Sequence, residues 1–389
     1  MRHKLAFVIP WYGENIAGGA DAECRGLAKA LARQGLTVEI LTTCVRDFRA
    51  DWSENFHPAG TSLEGGIPVR RFRARHRDTA AFDRVNARLM RDLAVSAAEE
   101  EIYLRESVTS PDLCRYIDQH RAEYVFFFIP YLFGTTYWGS RVCPERSVLI
   151  PCLHQESYAR LDLFRPMFEA VRGIVFHSPA EQRLAQRLYR IAPERSAVLG
   201  EPVACDWTTD PERFRRQYAL SDFLLYAGRT DRGKNADLLV DYFERHLHRT
   251  RAHDHLVFIG GEPPAFSSDR VRALGFLPRQ DQYDCYAAAL ALCVPGVKES
   301  FSLVMMESWL AGRPVIVNAA CEVTTEFCRL SGGGLYFNNV AEFSEILVEL
   351  RANSELAGHL GRQGRRFVLE HYSPDRVAAA YLRALDAWF

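Results

Sequence analysis

Residues Leu5–Thr43 read LAFVIPWYGENIAGGADAECRGLAKALARQGLTVEILTT. The apolar run Leu5–Pro10 leads into a polar loop holding Gly13, Gly18 and Gly19, and then into a helical spacing of Cys24, Leu27, Ala28 and Leu31 that stops at Gly35. Thr37–Thr43 returns at once to a β-branched, apolar run of the kind buried on both faces of a parallel sheet. Strand, glycine loop, helix and strand make a βαβ unit. Working outward, Tyr124–Ile129 (YVFFFI), Ser147–His154 (SVLIPCLH) and Gly173–Ser178 (GIVFHS) are expected to be three further strands separated by helix-length segments. The first half therefore reads as a doubly wound α/β domain.

The same grammar restarts at Asp222–Arg229 (DFLLYAGR), an apolar strand ending in a glycine turn, followed by a helix through Leu238, Leu239, Tyr242 and Phe243. His255–Gly261 (HLVFIGG), Ala291–Gly296 (ALCVPG) and Pro314–Asn318 (PVIVN) continue a second α/β domain. A length of 389 residues, at roughly 100 to 200 per domain, accommodates this. The expected boundaries are 1–203 and 204–373, with Cys205–Glu212 as linker. An amphipathic helix over 374–389 (Val377, Tyr381, Leu385, Trp388) has no strand to cross to, and is expected to pack back on the N-terminal domain. Two such sheets facing across a cleft would place ligands at their C-terminal strand ends.

Composition narrows the function. Apolar residues at 48% and charged residues at 25% are ordinary for a chain with sizeable cores. Lys and Arg number 48 against 49 Asp and Glu, so no whole-molecule basic field exists to attract nucleic acid. Ten cysteines contain no C-x-x-C pair, which argues against a zinc ribbon or a disulfide framework and for a reducing, cytoplasmic setting. The basic N-terminus Met1-Arg2-His3-Lys4 precedes an apolar run too short for a signal peptide. Tyr124–Phe133, the longest apolar stretch, is half a membrane span and contains Pro130. The basic run Arg70–Arg77 has two readings: contact with a lipid-linked diphosphate or the inner face of a membrane, or an edge strand with a solvated loop.

The chemistry concentrates in Glu299–Pro314 (ESFSLVMMESWLAGRP). A strand leads into a short loop, a helix starts near Ser302, and Gly312 and Pro314 end it. Unpaired N–H groups at that helix tip suit an anion such as a diphosphate. Glu307, inside the helix, can accept hydrogen bonds from a ribose diol, and Glu299, in the loop, can reach a second polyol. An isolated pair of this spacing is more often two solvated charges. The segment Gly228–Lys234 (GRTDRGK) changes that weighting, because it sets Arg229 and Lys234 at the end of the domain's first strand, where two cations can neutralise a leaving diphosphate.

The Gly18-Gly19 loop, the Gly228–Lys234 segment, the E-x7-E segment and the final helix together resemble the retaining glycosyltransferases of family 4. The resemblance implies the GT-B fold, two Rossmann-like doubly wound parallel-sheet domains, the first binding acceptor and the second a nucleotide diphosphate sugar. It assigns Glu307 to the ribose, Glu299 to the transferred sugar, and Arg229 and Lys234 to the diphosphate. Backbone N–H groups at Phe301, Ser302 and Leu303 would contact sugar and diphosphate, with Gly18 and Gly19 offering close backbone approach. His154 stands where the family often has a His-Asp pair, but the Asp is replaced here by Gln155. The Gly260-Gly261 and Gly275-Phe276 turns match the base wall, and Glu201 is assigned no role.

No D-x-D triplet, G-x-S-x-G elbow or Walker A motif occurs. The expectation is a metal-independent hexosyltransferase without cofactor, acting on a glycan or lipid-linked acceptor in cell-surface polysaccharide or glycoconjugate synthesis. Two alternatives stay open: a GT-B-like nucleotide-sugar epimerase, which needs no acceptor, and a non-catalytic nucleotide-sugar-binding protein.

Overall fold

The computed structural model of the chain describes residues 4–13, 16, 18–221, 223–230 and 232–389. Met1–His3 of the basic N-terminus, Asp222, Asp231 and the Arg232 side chain lie outside what is described. The chain divides into two units, one comprising the residues through Pro202 together with Pro374–Phe389, the other spanning Val203–Ser373.

The first unit contains β1 (Lys4–Val8), β2 (Val38–Thr43), β3 (Gly60–Glu64), β4 (Ile67–Phe72), β5 (Tyr124–Phe128), β6 (Ser147–Leu149), β7 (Gly173–Phe176) and β8 (Ser196–Val198). They form one sheet in the order β3-β4-β2-β1-β5-β6-β7-β8. Every neighbouring pair is parallel except β3 with β4. The central strands are apolar because helices cover both faces. Phe7 pairs with Phe127 across β1 and β5, and their rings stack with centroids 4.9 Å apart. Each such buried ring contributes about 1.5–3 kcal/mol of transfer free energy. The helix Gly19–Arg33 follows β1, and the helix Pro374–Trp388 packs against it through buried Val377, Ala378 and Tyr381. Trp388 Nε1 donates to the Glu194 carbonyl at 3.0 Å, which fixes the far end of that helix to the same unit.

The second unit contains β9 (Phe223–Gly228), β10 (His255–Gly260), β11 (Val271–Gly275), β12 (Ala291–Val294), β13 (Val315–Asn318) and β14 (Gly334–Phe337). All are parallel, in the order β11-β10-β9-β12-β13-β14. The order reverses between β9 and β12. In an open α/β sheet that is where the flanking loops part and a ligand can enter.

The structure corrects several sequence expectations. The strand expected over Ser147–His154 stops at Leu149, because Pro151 has no N–H to give a ladder and Cys152 turns the chain at φ +52°. Strands β3, β8, β11 and β14 are additional, and β4 is the strand into which the basic run falls. The basic run is not an edge strand: Arg70–Phe72 lies in β4 between β2 and β3. Arg70 pairs with Glu39 at 2.9 Å and Arg71 with Glu64 at 2.7 Å. Arg75 reaches Glu106 at 3.3 Å, and Arg77 is buried over the Trp52 and Phe82 rings. Only Arg73 and His76 of that run are exposed. Among the described residues no helix is long and apolar enough to cross a membrane.

Candidate functional site

The loops after β9, β12 and β13 are tied at one atom. Asn235, held at φ +51° just before the helix Ala236–Thr250, donates its side-chain amide to the Pro295 carbonyl at 3.2 Å. Asn318, the last residue of β13, donates to the same carbonyl at 3.2 Å. The Tyr226 hydroxyl donates to the Arg229 carbonyl, and the Thr230 hydroxyl to the Glu262 carbonyl, so the chain leaving β9 is held as well. This framework sets Lys234 against Glu299, with Nζ donating to Oε1 at 2.7 Å. The Lys234 side chain is 28% exposed and that of Glu299 9%, so the ammonium is the open member of the pair. Gly296 makes the approach possible, since a Cβ there would lie 3.3 Å from Glu299 Oε1 and 3.4 Å from the Lys234 Cα.

Beyond Glu299 the chain enters the helix Leu303–Leu310 through Ser302 at φ +82°, a conformation that non-glycine residues rarely adopt. The Ser302 side chain does not cap the helix, and its hydroxyl is buried without a hydrogen-bond partner. First-turn N–H groups left uncapped, together with the helix dipole, favour an anion at this point. Phe301 packs edge-on against Phe327 and Tyr372, with centroids 5.5 and 4.9 Å away. Its side chain anchors the loop in the core, so only its backbone can serve a ligand. Leu303 is half-buried.

Glu307 lies on the same helix and is reached from a neighbouring one, Arg279–Ala288. The Tyr286 hydroxyl donates to Glu307 Oε2 at 2.9 Å, and Arg279 Nη2 to Oε1 at 3.3 Å. Burial raises the Glu307 carboxyl above the ordinary range, while Arg279 and the Tyr286 bond oppose that rise. Arg279 is itself fixed by the Tyr283 hydroxyl at 2.7 Å, and Tyr283 stacks on Trp207 at 4.0 Å. Each Glu307 oxygen therefore has one bond and an acceptor site to spare, which suits a vicinal diol. Phe276, just past β11 and close in sequence to Arg279, is 78% exposed.

The second unit thus gathers Arg229, Lys234, Glu299, Ser302, Leu303 and Glu307 around the β9/β12 reversal and the helix beside it. Arg229 is exposed in the loop that carries Lys234. Gly18, Gly19 and His154 belong to the first unit. Gly18 is the extended residue before the helix Gly19–Arg33, and a Cβ at Gly19 would meet open space. Arg25 holds the preceding loop through the Gly13 carbonyl at 2.8 Å. His154 Nδ1 lies 3.5 Å from Glu156 Oε1, whose carboxylate also accepts from the Tyr131 hydroxyl at 2.8 Å. An acidic residue thus stands beside His154 one position after Gln155. Sequence reading also missed Arg279 and Tyr286. Their signal was the i, i+4, i+7 spacing of Arg279, Tyr283 and Tyr286 on one helix face.

Comparison with known proteins bears on this geometry. Residues 221–353 match the family described as Glycosyl transferases group 1. A D-inositol 3-phosphate glycosyltransferase of Kribbella flavida is 30% identical over 193 residues, which are 44% of this chain and 46% of that protein. The match therefore spans less than half the length of that relative. Sucrose-phosphate synthase of Thermosynechococcus elongatus superposes with a TM-score of 0.72 at 16% identity, covering 99% of this chain and 98% of that one. Anabaena HepE, solved in complex with UDP-glucose, gives 0.69 at 14% identity, covering 99% and 100%. The fold is that of the GT-B glycosyltransferases, and the family match falls within the second unit.

Proposed function

We propose that the protein is a retaining glycosyltransferase that moves a hexose from a nucleotide diphosphate sugar to an acceptor hydroxyl of a glycan or lipid-linked glycan. The observation that carries this reading is the Lys234–Glu299 pair at 2.7 Å, set beside an uncapped helix that also bears the doubly bonded Glu307. Glu307 takes the ribose diol. The diphosphate lies against Lys234, Arg229 and the N–H groups that begin at Ser302. Glu299 orients the Lys234 ammonium and offers its remaining oxygen to a sugar hydroxyl.

In the reaction the bond from the anomeric carbon to the diphosphate oxygen breaks and a bond to the acceptor oxygen forms on the same face. The acceptor proton passes to the departing diphosphate. Negative charge grows on that diphosphate, and fixed cations and helix N–H groups stabilise it more in the transition state than in the ground state. Side-chain cations and the helix tip carry this role in the proposal without a divalent ion. The nucleotide sugar bound by Anabaena HepE makes uridine diphosphate sugars the first donors to try.

The test is turnover of a panel of nucleotide diphosphate sugars with and without candidate acceptors, the product's anomeric configuration being read by NMR. The proposal expects nucleotide release that requires acceptor and a product with the donor's configuration. An inverted product overturns the retaining assignment, and a changed sugar without acceptor indicates an epimerase.

A further inference from the structure

One group of His, Cys and carboxylate side chains close enough to share a metal ion occurs among the described residues: Glu23, Cys152 and His177, with donor atoms all within 4.8 Å of one another. It lies in the first unit. Each member leaves an element at the C-terminal edge of the sheet. Glu23 is near the start of the helix after β1, Cys152 follows β6, His177 follows β7, and Glu201 follows β8. Glu23 Oε1 is 2.6 Å from His177 Nε2, Glu201 Oε1 is 3.9 Å from the same nitrogen, and Cys152 Sγ is 3.5 Å from Glu23 Oε2. Glu23 and Glu201 both face Nε2 of the imidazole, and Cys152 lies beside Glu23.

The opposite ring nitrogen is faced by a carboxylate. Glu181 Oε2 lies 3.3 Å from His177 Nδ1 and accepts from the His177 backbone N–H at 2.6 Å, while its other oxygen accepts from Leu153 N–H at 2.6 Å. A carboxylate facing Nδ1 favours a proton on that nitrogen and leaves the Nε2 lone pair for a metal, which is how metal-bound histidines are usually oriented. His177 and the carboxylates of Glu23 and Glu181 are at most 1% exposed. The fully buried carboxylates of Glu23 and Glu181 beside a buried imidazole hold negative charge away from water, which a bound cation would offset. An independent sign is Tyr381 on the C-terminal helix, 1% exposed, whose hydroxyl has no hydrogen-bond partner. It sits in the field of Glu23, Glu201, Cys152 and Glu181.

We propose that Glu23, Cys152, His177 and Glu201 form a closed structural site for a zinc ion. Sulfur, nitrogen and oxygen donors in a set of four match that borderline-soft, tetrahedral cation. Bond lengths of about 2.0–2.3 Å require the Glu23–His177 contact to open by about 1 Å. The ion would join the crossing helix after β1 to the loops after β6, β7 and β8, beneath the returning C-terminal helix. Cys152, the half-buried member, marks the side from which an ion enters.

The test is elemental analysis of untagged full-length protein, as purified and after refolding with zinc and exhaustive dialysis. The expected result is about one zinc per chain, with a strong chelator lowering Tm by about 10 °C. Cobalt substitution should give a thiolate-to-cobalt charge-transfer band that Cys152→Ser lacks, a readout that holds even if the variant is less stable. Metal below about a tenth per chain after refolding with zinc overturns the proposal. So does a cobalt spectrum unchanged by Cys152→Ser, since the metal would then lie elsewhere.

Discussion

Glu299 holds the Lys234 ammonium at 2.7 Å, although the two residues leave different strands, β9 and β12, on either side of the point where the sheet order reverses. A cation fixed in this way needs no reorganisation when charge appears on a leaving group, which is what makes such groups effective in catalysis. Replacing Lys234 with Met should lower kcat by about 100- to 1,000-fold, or about 3–4 kcal/mol in the barrier, with a much smaller change in KM. Steady-state kinetics with unchanged circular dichroism is the check. An equal rise in KM at constant kcat would place Lys234 in ground-state binding instead.

Gly296 is the residue that lets the pair form. A methyl group there would press on the Glu299 carboxylate at 3.3 Å and on the Lys234 backbone at 3.4 Å, close enough to move both by a few tenths of an ångström. Gly296→Ala is expected to reduce kcat by about tenfold while denaturant melts shift by less than about 1 kcal/mol. Activity equal to wild type would show that the spacing of the pair is not demanding.

Glu307 should give donor binding an acid limb. Burial raises its carboxyl above the usual range, so protonation removes the diol acceptor at a pH where exposed carboxylates remain charged. Nucleotide affinity measured by calorimetry should therefore fall as pH drops through a midpoint above the ordinary value of about 4.3. Stability follows the opposite sign. A carboxyl with a raised folded-state pKa favours the folded state when protonated, so wild-type stability relative to Glu307→Gln should fall as pH rises from the unfolded value through the folded one. A flat difference between the two proteins across that window would contradict the burial argument.

The helix bearing Glu307 seats on the helix Ser354–His371 through glycines. A Cβ on Gly364 would lie 2.1 Å from the Trp309 ring, and Trp309 is fully buried with its Nε1 bonded to the Gly333 carbonyl at 2.7 Å. Gly364→Ala must displace the indole or part the helices, and is expected to cost about 1–3 kcal/mol in urea unfolding. Unaltered stability would mean that the interface has slack which the close contact denies.

Lys234, Glu299 and Glu307 were readable in the sequence because each sits at a fixed distance from an apolar strand or helix start, and strand ends collect at one edge of a parallel sheet. The spacing of Arg279 and Tyr286 shows only that they share a helix face; that this face meets Glu307 depends on how two helices pack, which spacing along the chain does not encode. The same limit applies to Glu156, whose carboxylate meets His154 through a loop turn after β6. The elements missed have physical reasons too. β3 (GTSLE) is polar and exposed over most of its length, and β8 is three half-buried residues, so neither shows the alternation or apolar run that marks a strand.

The most direct measurement is the structure of the protein with a nucleoside diphosphate bound. The account predicts phosphate oxygens within hydrogen-bond distance of Lys234 Nζ and the N–H groups at Ser302–Leu303, with both ribose hydroxyls on Glu307. Phosphates seated elsewhere, with the Lys234–Glu299 pair and Glu307 untouched by the ligand, would contradict it.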